Sequence, residues 1–127
     1  SLLHGDVLMT GVMDLAWREG SSFSVVDYKT NSLAGRSAQD AAEHYRLQAQ
    51  LYCLAALRSG AERVRMDLLF LEDPQAPITF EYCMADEPVL SARLDEALAP
   101  LLAGDYAACR GEQCGRCSLA TVCAGLA

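Results

Sequence analysis

Apolar residues recur along the chain in short blocks whose spacing changes from one block to the next. Four blocks have the length and composition of β-strands, and two longer ones, rich in helix-forming residues, are typical of α-helices. The strand-like blocks are residues 7–17, 23–29, 63–72 and 78–84, and the helical blocks are residues 38–58 and 87–104. This order of a β-hairpin, a helix, two strands and a helix predicts an α/β domain with a mixed sheet.

The ends of the helical blocks carry suitable boundary residues. Ser37 is a good N-cap for the first helix, and Gly60 and Gly104 are good terminators. Two stripes at helical spacing run along the first helix, one apolar and one amphipathic. The apolar stripe consists of Leu47, Leu51 and Leu54, and the amphipathic stripe of Tyr45, Gln48 and Tyr52. Aromatic residues at this spacing often belong to a core, but an amide among them requires hydrogen-bond partners, so the second stripe is also a candidate site.

A Gly-Ser pair lies between the first two strands and fixes which of their residues face each other. A two-residue type II′ turn at Gly20 and Ser21 places Asp14 opposite Asp27 by continuation. Directly opposed residues project from the same face of a sheet, and Lys29, two residues beyond Asp27, shares that face. The sequence therefore predicts that two carboxylates and one amine converge.

These three side chains have the chemistry needed to hydrolyse a phosphodiester. Mg²⁺ is commonly held by one or two carboxylates together with phosphate oxygens and water, and Asp14 and Asp27 would supply the carboxylates. Lys29 is the only lysine among ten basic residues. An ammonium is a compact donor that can orient a water molecule or, when buried, release a proton near neutral pH. The alternative is that Asp27 and Lys29 form an ordinary pair on an exposed strand face.

Length, composition and charge limit the possible functions. The 127 residues, of which 52% are hydrophobic, suit one globular domain, and the net charge of −7 argues against broad phosphate binding by a basic face. Acidic residues that hold metal ions would still allow nucleic acid to bind. Neither a secretion signal nor an apolar run of bilayer length is present, so we expect a cytoplasmic protein that does not bind membranes. The first residue is not Met, and we expect a piece of a longer chain.

Six cysteines fall into two groups. Cys53 and Cys83 stand alone in apolar runs, where buried structural thiols are expected. The others form a C-x4-C-x2-C-x5-C pattern at Cys109, Cys114, Cys117 and Cys123. Four thiolates suit tetrahedral zinc or an iron–sulfur cluster, and the alternative is a chance clustering of unrelated thiols. Without a secretion signal, a disulfide framework is disfavoured.

Three segments, GVMDLAW, VVDYKTN and YRLQAQLY, together closely resemble the nuclease domain of the RecB/AddAB type within the PD-(D/E)XK superfamily. The motifs that carry the resemblance are G-x-x-D, ending at Asp14; D-x-K, at Asp27 and Lys29; and Q-x-x-x-Y, at Gln48 and Tyr52, preceded by Tyr45. The resemblance implies a restriction-endonuclease-like core, Mg²⁺ or Mn²⁺ at Asp14 and Asp27, and DNA as substrate. It also implies that the helical stripe faces the active site.

The resemblance extends to the cysteines but leaves two ligands unaccounted for. The last three cysteines resemble the C-x2-C-x5-C that closes iron–sulfur members such as AddB, in which the fourth cysteine lies upstream, so Cys109 is either an accidental neighbour or a substitute ligand. The family also takes a Glu or His metal ligand from an upstream helix, for which this chain has no room. His4 is the only upstream candidate, and His44 is expected to be a solvated helical residue. We therefore expect the fragment to bind metal weakly and to be inactive alone.

The leading hypothesis is a metal-dependent DNA exonuclease domain, with a nuclease core at residues 1–104 and a cysteine-rich segment at residues 105–127. Its partner would be a helicase domain or subunit of a larger helicase–nuclease or DNA-repair protein. The main alternative is a nuclease-fold module that has lost catalysis and binds DNA or a partner, with the cysteines as a structural clip. A zinc-binding interaction domain would explain the cysteines but not the three ordered motifs.

Overall fold

A computed structural model of the chain describes residues 1–105, 111, 114–115 and 117–123. The chain divides into two compact units, Ser1–Leu94 and Asp95–Ala127. The strands are β1 (Leu2–His4), β2 (Val7–Met9), β3 (Leu15–Glu19), β4 (Ser22–Lys29), β5 (Arg63–Phe70) and β6 (Ile78–Cys83). The helices are α1 (Ala38–Ala42), α2 (Arg46–Arg58) and α3 (Glu87–Leu102), with short 3₁₀ turns at Glu43–Tyr45 and Met84–Asp86.

The first unit is built on a mixed four-stranded sheet in the order β3-β4-β5-β6. The β4–β5 pair is parallel, and the β3–β4 and β5–β6 pairs are antiparallel. Because parallel neighbours need a crossover, the chain leaves β4, forms α1 and α2, and returns to begin β5. This arrangement confirms the predicted α/β class and mixed sheet. A separate two-stranded hairpin, β1–β2, precedes the sheet.

The turn between β3 and β4 has the predicted register. Gly20 has a φ of +59°, a conformation that glycine adopts without steric cost. Glu19 pairs with Ser22, and the ladder continues to the pair Leu15 and Val26. Asp14 is therefore the next residue beyond the last pair.

The predicted continuous strand at residues 7–17 is wrong. Its first part is β2, which pairs with β1, and its last part is β3; residues 10–14 between them are irregular. A side chain explains the break, because the Tyr52 hydroxyl donates a hydrogen bond of 2.7 Å to the Val12 carbonyl. That carbonyl therefore has a side-chain partner outside any sheet.

The predicted long helix is interrupted but has the expected ends. Ser37 caps α1 by accepting a hydrogen bond of 3.1 Å from the Asp40 amide. The 3₁₀ turn separates α1 from α2, and α2 ends two residues before Gly60, whose φ is +91°. The apolar stripe is only partly correct, since Leu54 is 1% exposed and Leu47 is 47% exposed.

The core lies between one face of the sheet and α2, which packs against β5 and β6. The buried face of α2 is centred on Ala49 and Cys53, and Leu47 lies about 200° around the helix from Ala49. Alternate residues of β4 and β5 point into the core, as the period of two requires. The largest fully buried side chains are Phe70, Leu54, Leu57, Met66, Leu68 and Leu90. Cys53 is buried as predicted, whereas Cys83 is only half-buried.

Candidate active site

Lys29 lies at the end of β4 and is nearly enclosed, with 8% of its surface exposed. Its ammonium donates a hydrogen bond of 2.8 Å to Gln48 Oε1 and forms an ion pair with Asp27. The same nitrogen lies 4.0 Å from the centroid of the Tyr45 ring, within the range of a cation–π interaction. Burial of an ammonium is costly unless it is paired, and these three contacts provide the compensation.

Asp27 shares the core-facing side of β4 with Lys29 and is 5% exposed. Its Oδ2 contacts the Lys29 ammonium but receives no directed hydrogen bond from the described residues. The ion pair with Lys29 compensates the burial of this charge, and an ionised carboxylate has further acceptor capacity for a second cation. Asp27 therefore has the character expected of a metal ligand.

Asp14 is exposed and lies beside the end of the β3–β4 ladder. Its Oδ2 accepts a hydrogen bond of 2.9 Å from the backbone amide of Tyr28. The Asp14 carboxylate thus takes the position that the next hydrogen bond of the β3–β4 ladder would have. It is held beside the backbone of Tyr28, the residue after Asp27. Its other carboxylate oxygen has no hydrogen bond to the part of the chain that the structure describes, so it is available to a ligand.

Gln48 and Tyr52 connect α2 to both strands of the predicted site. Gln48 accepts from Lys29 and donates a weak hydrogen bond of 3.4 Å to the Tyr52 hydroxyl. The Tyr52 hydroxyl donates in turn to the Val12 carbonyl, at 2.7 Å. The glycine of the G-x-x-D motif packs against the same tyrosine, because a β-carbon at Gly11 would lie 3.0 Å from Tyr52 Cε1. One chain of contacts therefore runs from Lys29 to the segment that carries Asp14.

Tyr45 is held in place over Lys29 by residues that the sequence did not identify. Its hydroxyl donates a hydrogen bond of 3.3 Å to Asn31 Oδ1, and its ring lies 6.1 Å from that of Phe70, tilted by 59°. Asn31 belongs to the same VVDYKTN segment as Lys29, so the motif itself contained the signal. Phe70 pairs with Lys29 across the parallel β4–β5 ladder, a relation that depends on tertiary structure.

Asp14 and Asp27 are the two candidate protein ligands for a divalent cation. Asp14 and Asp27 offer the oxygen ligands that Mg²⁺ prefers, and Mg²⁺ commonly takes its remaining ligands from water and phosphate. No group of three or more His, Cys, Asp or Glu residues suited to a metal is found among the described residues. His4 is buried and its Nδ1 lies 3.2 Å from Arg58 Nη1, so it does not supply a third ligand in such a group.

The cysteine segment belongs to the second unit, and none of its described cysteines forms a disulfide. Among the described residues, Cys114, Cys117 and Cys123 are not brought together as a ligand group, and the structure gives no support for an iron–sulfur or zinc site there. Cys109 lies outside the described residues. The backbone amide of Gly111 donates a long hydrogen bond of 3.5 Å to Cys114 Sγ.

Comparison with known proteins identifies the sequence family and the fold. A family model described as the PD-(D/E)XK nuclease superfamily matches residues 2–124. The crystal structure of SSO0001 superposes with a TM-score of 0.50 at 20% sequence identity, over 91% of this chain and 50% of SSO0001. That likeness supports a restriction-endonuclease-like fold, and the chain spans about half the length of SSO0001. No curated protein matches the chain. Among the described residues, no helix has both the length and the apolar character needed to cross a membrane.

Proposed function

The chain belongs to the PD-(D/E)XK nuclease superfamily, and from this premise we propose that it is a metal-dependent DNA exonuclease that hydrolyses phosphodiester bonds. The observation that carries the proposal is the position of Lys29. Its ammonium is bound by Asp27 and Gln48 and covered by Tyr45, at the end of a strand that also presents Asp27. An exposed ladder pair would not be enclosed in this way, so the simpler interpretation of Asp27 and Lys29 is disfavoured.

Asp14 and Asp27 are the residues that would hold Mg²⁺ or Mn²⁺. When bound, such an ion polarises the phosphoryl group and lowers the pKa of a bound water. Asp14 is kept in position by the Tyr28 amide, and Asp27 offers a buried carboxylate that is already paired with Lys29. Asp27 lies on β4 and Asp14 directly precedes β3, and the Gly20–Ser21 turn fixes the register of these two strands.

Lys29 would orient the attacking water and stabilise the negative charge that develops on the phosphoryl oxygens. A preorganised cation is effective in this role because it needs little rearrangement during the reaction. Gln48 fixes the direction of the ammonium, and the Tyr45 ring limits its movement. Both are positioning residues, since their contacts in the structure are to Lys29 and not to one of the carboxylates.

Tyr52 would keep the metal-binding segment in register with Lys29. Its hydroxyl donates a hydrogen bond to the carbonyl of Val12, two residues before Asp14. The same hydroxyl accepts a hydrogen bond from the Gln48 side-chain amide. Because residues 10–14 are irregular, they lack ladder hydrogen bonds that would otherwise hold them. The Tyr52 contact replaces part of that support.

Degradation of DNA by the full-length protein tests the proposal. End-labelled linear duplex DNA and covalently closed circular DNA are incubated with protein that has been freed of divalent ions and then supplied with Mg²⁺ or Mn²⁺. We expect the linear DNA to be shortened from its ends and the circle to remain intact. Nicking of the circle would exclude an exonuclease, and an absence of metal-dependent cleavage of either DNA would exclude the nuclease assignment.

A catalytically inactive module that binds DNA or a partner is the second candidate. It is favoured by the burial of Asp27 and Lys29, at 5% and 8% exposed, which restricts access to both groups. Metal-independent DNA binding without cleavage would support this candidate.

The wider assignment, to a helicase–nuclease or a DNA-repair protein, rests on the resemblance to the RecB/AddAB type. A helicase domain or subunit is the partner that this assignment implies. Co-purification of the full-length protein with an ATP-dependent DNA-unwinding activity would support it, and a homogeneous protein without that activity would contradict it.

A further inference from the structure

Arg36 lies in the loop that leads from Lys29 to α1, close to the proposed active site. Its Nη1 lies 3.3 Å from His44 Nε2, and His44 precedes Tyr45, whose ring covers the Lys29 ammonium. The side chains of Arg36 and His44 are both exposed. The guanidinium is therefore accessible and lies next to His44, the residue that precedes Tyr45 in the chain.

The charge of this guanidinium is not neutralised by the protein. Arg46, Arg58 and Arg65 each pair with a carboxylate. Among the described residues, Arg36 has no carboxylate partner; its side chain contacts only His44. Arg18, Arg63 and Arg93 likewise have no carboxylate partner among the described residues, so the position of Arg36 beside His44 is what distinguishes it.

The loop that carries Arg36 is held at several points. The Leu33 amide donates a hydrogen bond of 2.8 Å to Glu72 Oε2, and the Arg36 amide donates one of 3.0 Å to the Leu33 carbonyl. The bond from Leu33 is the main reason that the pKa of Glu72 is lowered, and a hydrogen bond from Ser32 adds to it. The anchored loop fixes the starting point of the Arg36 side chain.

We propose that Arg36, oriented by His44, binds a phosphate of the DNA strand next to the phosphate that is cleaved. This inference rests on the proposed nuclease function and adds a substrate-binding residue to it. A guanidinium has five N–H donors, and the contact with His44 engages only one of its nitrogens, so Nη2 and Nε remain for a bidentate phosphate contact. Because a guanidinium can only donate, His44 Nε2 is the acceptor of this contact, which limits the rotation of the Arg36 side chain. Arg36 thereby offsets the repulsion between DNA and the carboxylates Asp14 and Asp27.

The test measures binding separately from cleavage. A fluorescent DNA oligonucleotide is titrated with the full-length protein, with Ca²⁺ in place of Mg²⁺, over a range of salt concentrations. We expect Arg36→Ala to weaken binding by about tenfold or more, as loss of a hydrogen bond to a charged group does. The slope of log affinity against log salt should become shallower by about 1, the change for one lost phosphate contact.

Arg63→Ala is the matched control. Arg63 is also exposed and makes no side-chain bond to the described residues, but it pairs with Ser22 at the opposite end of β4 from Lys29. That end is roughly 23 Å away, at about 3.3 Å per strand residue. We expect Arg63→Ala to leave both the affinity and the salt slope near the wild-type values. Equal losses in the two variants would mean a general charge effect and would overturn the proposal.

Two further variants separate phosphate binding from a structural role. Arg36→Lys keeps the charge without the planar fork and should recover part of the affinity. His44→Ala should weaken binding less than Arg36→Ala while leaving the salt slope unchanged, because the charge remains. In cleavage assays, Arg36→Ala should raise KM with little change in kcat.

Neutral methylphosphonate substitutions along the DNA then locate the contact. At one position next to the cleaved phosphate, the substitution should weaken binding of the wild type but not of Arg36→Ala. Wild-type affinity and salt slope in Arg36→Ala would overturn the proposal even if the protein cleaves DNA. If DNA is bound through Arg36 but not cleaved, the nuclease proposal fails, and the part of this proposal that assigns Arg36 a DNA-phosphate contact stands. No binding of DNA by the wild type would overturn it.

Discussion

Gly11 packs so closely against Tyr52 that a β-carbon at Gly11 would lie 3.0 Å from Tyr52 Cε1 and 3.3 Å from its hydroxyl oxygen. The glycine of the first motif is thus fitted to the tyrosine of the third. Its φ is not in the left-handed region, so close packing rather than backbone conformation requires the absence of a side chain. The same hydroxyl bonds to the Val12 carbonyl and so holds the segment that leads to Asp14.

Gly11→Ala should displace the Tyr52 ring and reduce metal-dependent cleavage. We expect a loss of about 1–3 kcal/mol in the free energy of unfolding, typical of an overpacked site. Chemical denaturation measures the loss. Gly115→Ala is the control, because a β-carbon there would have no atom within 4 Å. Wild-type stability and activity in Gly11→Ala would show that the ring moves freely and that the contact has no role.

Lys29→Ala should reduce cleavage by about 100-fold or more, since it removes the group that orients the water and stabilises charge. Lys29→Arg should fail as well, because a planar guanidinium does not fit the contacts with Gln48 and Tyr45. Single-turnover cleavage of linear DNA measures both, and circular dichroism checks that the fold is intact. Wild-type rates in Lys29→Arg would show that positive charge alone is sufficient.

Asp27→Asn should weaken Mn²⁺ binding in the presence of DNA by at least about tenfold. Mutation of a residue that only supports a metal ligand typically costs that much, and Asp27 is assigned as a ligand itself. The buried carboxylate would be replaced by an amide that carries no negative charge. Asp14→Asn should also weaken Mn²⁺ binding. The asparagine side chain is uncharged and has one oxygen instead of two, so the oxygen that accepts from the Tyr28 amide would also have to bind the metal. Isothermal titration calorimetry with DNA that resists cleavage provides the measurement. Unchanged Mn²⁺ affinity in both variants would remove the assigned metal site.

The full-length protein, purified without oxygen, should contain an iron–sulfur cluster bound by Cys114, Cys117 and Cys123, with a fourth ligand upstream of this chain. Their C-x2-C-x5-C spacing motivates this prediction, although the described thiols are not gathered into one group. Iron and zinc analysis and the visible absorption spectrum test it. Stoichiometric zinc without iron would replace the cluster by a zinc site. Neither metal, with unchanged stability in Cys117→Ser, would leave the motif without a metal-binding role.

Burial raises the pKa of the Cys53 thiol to about 12. In the unfolded chain, the Cys53 thiol releases its proton near pH 9. The native state therefore becomes less stable relative to the unfolded state as the pH rises from 9 towards 12. Cys53→Ala should make the loss of stability with pH less steep over this range, as measured by denaturation at several alkaline pH values. The exposed Cys117 provides the control, since Cys117→Ala should leave the slope unchanged. An equal slope in wild type and Cys53→Ala would show that this thiol does not titrate as described.

Local sequence was sufficient for the features that depend on neighbouring residues. The Gly20–Ser21 turn predicted the pairing of β3 with β4, because a two-residue loop leaves little freedom in register. Ser37 and Gly60 similarly marked the ends of the helical segment. The three motifs pointed to the residues that the structure connects, as the Lys29–Gln48 bond illustrates.

Contacts between distant segments were not predictable in the same way. The break in the strand at residues 10–14 follows from a tyrosine forty residues away, which takes the Val12 carbonyl out of any ladder. The exposure of Leu47 depends on how α2 is rotated against the sheet, because spacing alone gives a stripe but not the side that is buried. The same holds for Arg36 and His44, which are eight residues apart and meet through the path of a loop.

The sequence by itself thus determined the class of the fold, the register of the first hairpin and the residue types of the site, since each is encoded by local backbone preference or by a short ordered motif. The tertiary structure alone decided that Lys29 is enclosed by Asp27, Gln48 and Tyr45. It also decided that Gly11 gives room to Tyr52. The physical reason is that burial and close packing arise only when separate segments meet, and the free energy of a polar group depends on the partners that it finds there.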